Sequence, residues 1–442
     1  MRRGLSVVLI AVVLAAGGLA PAAEPNRTTD AVVAATLDNG LRVLLLEDRR
    51  SPIVTVQVWY RVGSRNEARG ATGIAHFLEH LMFRGTARYG SGLFARLVER
   101  NGGQYNAFTS QDVTSYYVNL AADRLDLVLE LEADRMHNLL LDPKIIASER
   151  EVVIEERRTR TEDDPGGALG EEVSATAFRA HPYGQPIIGW PTDLQRITPE
   201  EIRAFYRAYY VPNNAMLVAV GDFEATEVLG KVKATFGPIP RGAEPPTVLA
   251  VEPPQSSERR VRVQRPAQLP IVYLGYPVPN QTSPDAAALE VLSVVLSGGR
   301  ASRLYRDLVH ERQLAVVAGG DYSYFSLDPN LFWFWATPLP GQTAETLEKE
   351  LLGHLERLKR EPVSEVELAR AKNQIEAGFV FQEDSIHRRA SLLARFELIG
   401  GYALKDRYLG AIRAVSAADV QRVAGAYFQD DKKNVGILLP KP

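Results

Sequence analysis

The stretch "IAHFLEHLMFRGT", Ile74 to Thr86, places two of the chain's seven histidines four residues apart and sets a glutamate directly before the second. At about 100° per residue, Glu79 lies about 60° to one side of His76 and His80 about 40° to the other, so the three share one helix face. Imidazoles at i and i+4 are spaced to hold a single divalent cation, and neutral nitrogen with a carboxylate oxygen as third ligand suits zinc. Ile74, Phe77, Leu78, Leu81, Met82 and Phe83 make this helix apolar nearly all round, which predicts burial. Burying polar groups unpaired costs on the order of 2 to 7 kcal/mol for each neutral group, and a coordinated cation removes that penalty.

A third protein ligand is required, and "SEREVVIEERRTRTED" offers Glu149, Glu151, Glu155 and Glu156. With Glu149 at zero, Glu156 falls near about 340°, alongside Val152, Val153, Ile145 and Ile146, whereas Glu151 and Glu155 fall near about 200° and 240°. Glu149 and Glu156 therefore share the apolar stripe, and the other two read as solvated charges. One of the pair ligates and the other holds a ligating imidazole by its second nitrogen. Periodicity leaves open which does which.

Working outward, "AATLDNGLRVLLLEDRRSPIVTVQVWYRVGS" reads as strands, with hairpin chemistry at Asn39-Gly40. Helical patterns run through Met82 and again from Gly92 to Asn101. "DVTSYYVNLA" alternates as a half-buried strand should, and a long helical region follows from Ala121 to Arg160. Six prolines between Gly237 and Ser257 forbid a continuous helix and mark a connector. Beyond it the order recurs: "LPIVYLGYPV" is similar to "SPIVTVQVWYRV", and "VSAADVQRVAGAYFQDDKKNVGILLP" to "ITPEEIRAFYRAYYVPNNAMLVAVG". Each of the latter two has a capped helix start, Thr198 with Glu201 and Ser416 with Asp419. The expected fold is α+β: two homologous duplicated domains, each a mixed sheet packed with helices, joined by a Pro-rich linker. The expected divisions are a signal at 1–23, a half carrying the candidate metal ligands at 32–237, a linker at 238–258 and a homologous half without them at 259–440.

The formal charge of −3 on 442 residues gives no basic field, so nucleic acid is excluded as a default partner. Arg2 and Arg3, an apolar run from Leu5 to Ala20 and the small residues Ala20-Pro21-Ala22 read as a secretory signal, the run falling short of the roughly 20 residues a bilayer requires. The mature chain is expected in the periplasm or beyond, with no integral membrane segment. The absence of cysteine excludes disulfides and a lipid-modified anchor.

"HFLEHLMFRGT", the 76 residues from His80 to Glu156, "GGQYNAFTSQDVTSYY" and "HPYGQPIIGW" together resemble the pitrilysin family of zinc peptidases, the inverzincins, which includes insulin-degrading enzyme and the mitochondrial processing peptidase. The resemblance covers essentially the whole mature chain. It implies that His76, His80 and Glu156 hold one zinc ion, that Glu79 is the general base, and that Glu149 is the accessory glutamate. It also implies that Asn106, Ala107 and Phe108 form an edge strand along which an extended peptide or unfolded segment binds. His181 is placed in a structural turn. The chain departs from the pattern at "DLVHERQLAVV", where Val309 and Val316 stand in place of the arginine and tyrosine that self-sufficient members direct at the substrate. Valine donates no hydrogen bond to a developing oxyanion, so a sister subunit is expected to supply that pair, as a heterodimer or a homodimer. The competing class is a catalytically weak zinc- or peptide-binding subunit, against which an intact Glu79 argues; a third, a structural scaffold, predicts no stoichiometric metal.

Overall fold

The protein is described from a computed structural model over residues 31–441; the expected export signal, residues 1–23, lies outside the described residues. The first half forms β1 (Val33–Thr36), β2 (Arg42–Glu47), β3 (Ile53–Tyr60), β4 (Gln104–Thr109), β5 (Thr114–Ala121) and β6 (Ala215–Gly221), in the spatial order β1-β2-β6-β3-β5-β4. The second half forms β7 (Arg259–Pro266), β8 (Ile271–Val278), β9 (Ala315–Asp321), β10 (Asn330–Pro338) and β11 (Asn434–Lys441), in the order β7-β11-β8-β10-β9. Without β1 the two orders are the same. In each half the last strand inserts between the first two, parallel to one and antiparallel to the other. This is the duplicated mixed-sheet fold the sequence led us to expect. Neither helix nor strand occurs between Gly237 and Glu258.

Local chemistry sets the ends of these elements. Gly40, at φ +91°, turns β1 back on β2, where any other residue would be strained. Thr198 and Ser416 form reciprocal capping boxes with Glu201 and Asp419, at matching places in the two halves. The helical region expected from Ala121 to Arg160 is instead broken. It divides into Leu125–Asn138 and Pro143–Arg157 because Asp142 caps a new start by accepting from the Lys144 N–H, with Pro143 in the first turn.

The halves exchange helices. Pro165–Ala177, from the first, lies on the second sheet with Leu169 and Val173 against Leu438, over Gly436, where a Cβ would strike Val173. Ile386–Leu398, from the second, covers the first sheet, packing Ala390, Leu393 and Ala394 on Leu44, Trp59, Met216 and Val218. Ion pairs reinforce this contact, buried Asp48 with Arg389 at 2.8 Å and part-buried Arg42 with Glu397 at 2.6 Å. The exchange explains why β6 is buried at every position. Among the described residues no helix is long and apolar enough to cross a membrane.

Candidate metal centre

Ile74–Leu81 is a helix whose apolar residues are buried as expected, with Phe77 and Leu78 at 0% exposure. Its start is fixed by Gly73 at φ +88° and by buried Glu67, whose carboxylate accepts from the Gly73 and Ala75 N–H groups at 2.7 and 2.9 Å. The segment "IIGW" interlocks with that start. Gly73 and Gly189 both have positive φ, and a Cβ on either would collide with the backbone of the other's segment. Trp190 N–H donates to Thr72 Oγ1 at 2.9 Å, and Thr72 Oγ1–H to Asp193 at 2.6 Å.

On this anchored helix, His76 and His80 point at the helix Pro143–Arg157. Glu156 Oε2 lies 3.6 Å from His76 Nε2 and 3.1 Å from His80 Nε2, and the three ligand atoms fall within 4.8 Å of one another. Tetrahedral zinc with bonds of about 2.0 to 2.1 Å puts its ligand atoms about 3.3 Å apart, so the donor set and its spacing fit such an ion. Glu149 is buried, accepts from His80 Nδ1–H at 3.0 Å and pairs with Arg84 at 2.5 Å. Glu151 and Glu155 are exposed.

Burial, with the neighbouring His80, pushes the His76 imidazole down to about 4 and holds it neutral. At His80, burial is outweighed by hydrogen bonds to Glu149 and Glu156, and its pKa rises to about 9. The Glu156 carboxyl is held low, chiefly by its hydrogen bond from His80. Glu79 is most strongly affected by burial, which raises its pKa, while the Thr109 hydroxyl, donating at 2.6 Å, opposes that rise.

These side chains line a cleft of about 850 Å³ that also takes in Asn106, Ala107 and Phe108 of β4 and Ile187 and Ile188. β4 is the outermost strand of its sheet, with one edge paired to β5 and the other free of any described strand. Every residue lining the cleft comes from the first half. Val316, on the outermost strand of the second sheet, is 49% exposed. His181 stands in a turn outside the cleft, hydrogen-bonded with Asp328 at 3.0 Å.

The sequence reading missed Thr109, Arg84 and Arg160. Arg160, in the run "EERRTRTEDD", pairs with Glu156 at 2.9 Å. Within it Arg157 is buried and bonded twice to Glu171, at 2.8 and 2.9 Å. Its place on the buried stripe, one residue past Glu156, was the available signal.

Residues 42–190 match the family described as Insulinase (Peptidase family M16), and residues 196–375 match the Peptidase M16 inactive domain. The chain is 36% identical over 409 residues to the zinc protease PqqE of Helicobacter pylori, covering 92% of each. It is 28% identical to a probable mitochondrial-processing peptidase subunit beta of Arabidopsis thaliana, over 92% of this chain and 78% of that one. The crystal structure of a protease from Helicobacter pylori superposes with a TM-score of 0.90 at 35% identity, covering 93% of this chain and 100% of that chain. With both halves matched and the fold shared along nearly its whole length, the chain belongs to peptidase family M16.

Proposed function

We propose that this chain is an exported zinc endopeptidase that hydrolyses peptides or unfolded protein segments, with residues 32–237 as its catalytic half and 259–440 as an inactive one. The observation that carries the reading is the convergence of His76, His80 and Glu156 on one point, with Glu79 in the same cleft. One zinc ion held there supplies Lewis acidity and makes a water acidic enough to act as nucleophile near neutral pH. His76, His80 and Glu156 hold it, and Glu149 orients His80 through Nδ1. The Glu79 carboxylate, whose Oε2 accepts from the Thr109 hydroxyl, takes the proton of the attacking water on one oxygen and delivers it to the departing amine. The free edge of β4, with Asn106, Ala107 and Phe108, binds the substrate as an added strand through backbone hydrogen bonds.

The substrate-directed arginine and tyrosine of self-sufficient family members are missing from this chain, so we take the groups that steady the substrate's carbonyl to come from another polypeptide, in a heterodimer or homodimer. Val309 and Val316 cannot serve that role. The same observation favours a second reading, a peptide-binding subunit with weak turnover. Export rests on reading residues 1–23 as a secretory signal, which would deliver the mature chain to the periplasm or beyond.

Turnover of a fluorogenic unfolded peptide with and without chelator, for wild type and Glu79→Gln, tests the proposal. The variant is expected to retain zinc and lose hydrolysis; near-normal turnover in Glu79→Gln or in metal-free enzyme refutes it.

A further inference from the structure

A second cavity, about 450 Å³, lies between the halves, and Phe108 of β4 lines both it and the metal cleft. Phe108 precedes Thr109, whose hydroxyl reaches Glu79, and the two side chains leave β4 on opposite faces of the sheet. Behind Phe108 stands Trp59, edge to face at 5.3 Å between ring centroids. Tyr322, Tyr324 and Phe325, from the loop joining β9 to β10, close the far side. A strand added to the free edge of β4 alternates its side chains in the same way, one set toward the metal and the next into this second cavity.

The polar equipment of the cavity is asymmetric. Arg395, in the last turn of Ile386–Leu398, lies over the Phe325 ring at 5.8 Å and is open to the cavity. Among the described residues no carboxylate lies within ion-pair distance of it, whereas Arg389 on the same helix is paired with Asp48, and Arg42 beside it with Glu397. Of the two acids lining the cavity, Asp112 is engaged elsewhere and Glu290 only in part, its Oε2 being buried without a hydrogen-bond partner. Asp112 accepts from Tyr183 O–H at 2.7 Å and the Leu327 N–H at 3.1 Å. Glu290 accepts from Tyr408 O–H at 3.3 Å, and burial, reinforced by Asp321, pushes it up to about 7. An unpaired guanidinium against aromatic walls is a receptor for a carboxylate, which it can bind with two parallel hydrogen bonds.

We infer that this cavity is a substrate subsite in which Arg395 recognises a carboxylate of the bound peptide, either an acidic side chain on the alternate face of the added strand or the peptide's terminal carboxylate. This rests on the endopeptidase reading above, and it adds a selectivity: peptides carrying an acid within a few residues of the scissile bond are preferred.

The test uses the full mature chain, with its sister subunit where turnover requires one, and quenched fluorescent peptides in which Glu or Gln is scanned through each position, with free or amidated C-termini. Wild type is expected to favour Glu over Gln at one position, or the free over the amidated terminus, by about tenfold in kcat/KM, the scale of one hydrogen bond to a charged group. Which comparison discriminates identifies the source of the carboxylate. Arg395→Gln is expected to abolish the preference while cleaving neutral peptides normally, and Arg395→Glu to replace it with a preference for Lys. Equal turnover of the Glu and Gln series by wild type, or a preference that survives in Arg395→Gln, overturns the inference while leaving the endopeptidase reading intact. If no peptide is cleaved, the endopeptidase reading fails, and fluorescence anisotropy with the same peptides and variants still decides whether Arg395 selects acids.

Discussion

Replacing Glu149 by Gln isolates the support that this residue gives to the metal centre. In wild type the buried carboxylate holds His80 Nδ1–H at 3.0 Å and Arg84 at 2.5 Å, and touches neither Glu156 nor His76 closely enough to bond. Glutamine keeps the volume and one acceptor oxygen but removes the charge, so the bond to His80 changes from charge-assisted to neutral, losing roughly half its strength. Loss of such an outer partner typically lowers metal affinity by about 10 to 100-fold, or about 1.4 to 2.7 kcal/mol. Arg84, already 41% exposed in its side chain, turns to water at little cost, so global stability is expected to change far less than metal affinity. Zinc dissociation constants from chelator competition, measured beside thermal unfolding of the metal-free proteins, separate the two effects. Unaltered zinc affinity in Glu149→Gln, or a loss matched by general unfolding, refutes the assigned role.

Other perturbations test the scaffold. Gly189→Ala introduces a Cβ into the Thr72 backbone at φ +92°, and backbone strain alone costs about 1 to 3 kcal/mol, so a lower urea midpoint and weaker zinc binding are expected. Asp48→Asn breaks the buried pair with Arg389 between the halves, at a cost on the order of 3 to 5 kcal/mol visible in chemical denaturation. Hydrogen bonds from Arg50 and Arg389, overcoming burial, bring Asp48 down from 3.8 to about 2. Its folded-state pKa is depressed, so its stabilisation is complete above pH of about 4 and is lost as pH falls towards about 2. Acid unfolding curves of wild type and Asp48→Asn are therefore expected to converge at the acid end of that window and diverge above it.

The residues proposed to carry the chemistry were legible because their spacing is a local property of one helix. His76, Glu79 and His80 share a face whatever the chain does elsewhere, and Glu149 and Glu156 share a stripe for the same reason. The duplication was visible in the repeated strand and capped-helix patterns. Packing between halves was not: Tyr117 sits on the face of its strand opposite the core until His387 of Ile386–Leu398, more than 250 residues away in the chain, packs edge to face against it. Thr109 escaped notice because a threonine in a strand carries no mark of the carboxylate it will meet, and Arg157 because an arginine amid acids resembles a solvated charge. The break at Asp142-Pro143 was written in the sequence as a cap followed by a first-turn proline, but apolar periodicity on both sides obscured it.

Diffraction data collected on both sides of the zinc absorption edge, from crystals of a preparation that cleaves peptide, test the central claim most directly. The account predicts one anomalous peak per chain, within about 2.0 to 2.2 Å of nitrogen atoms of His76 and His80 and an oxygen of Glu156. An active crystal with no peak among those three side chains, or with its metal bound elsewhere, contradicts it.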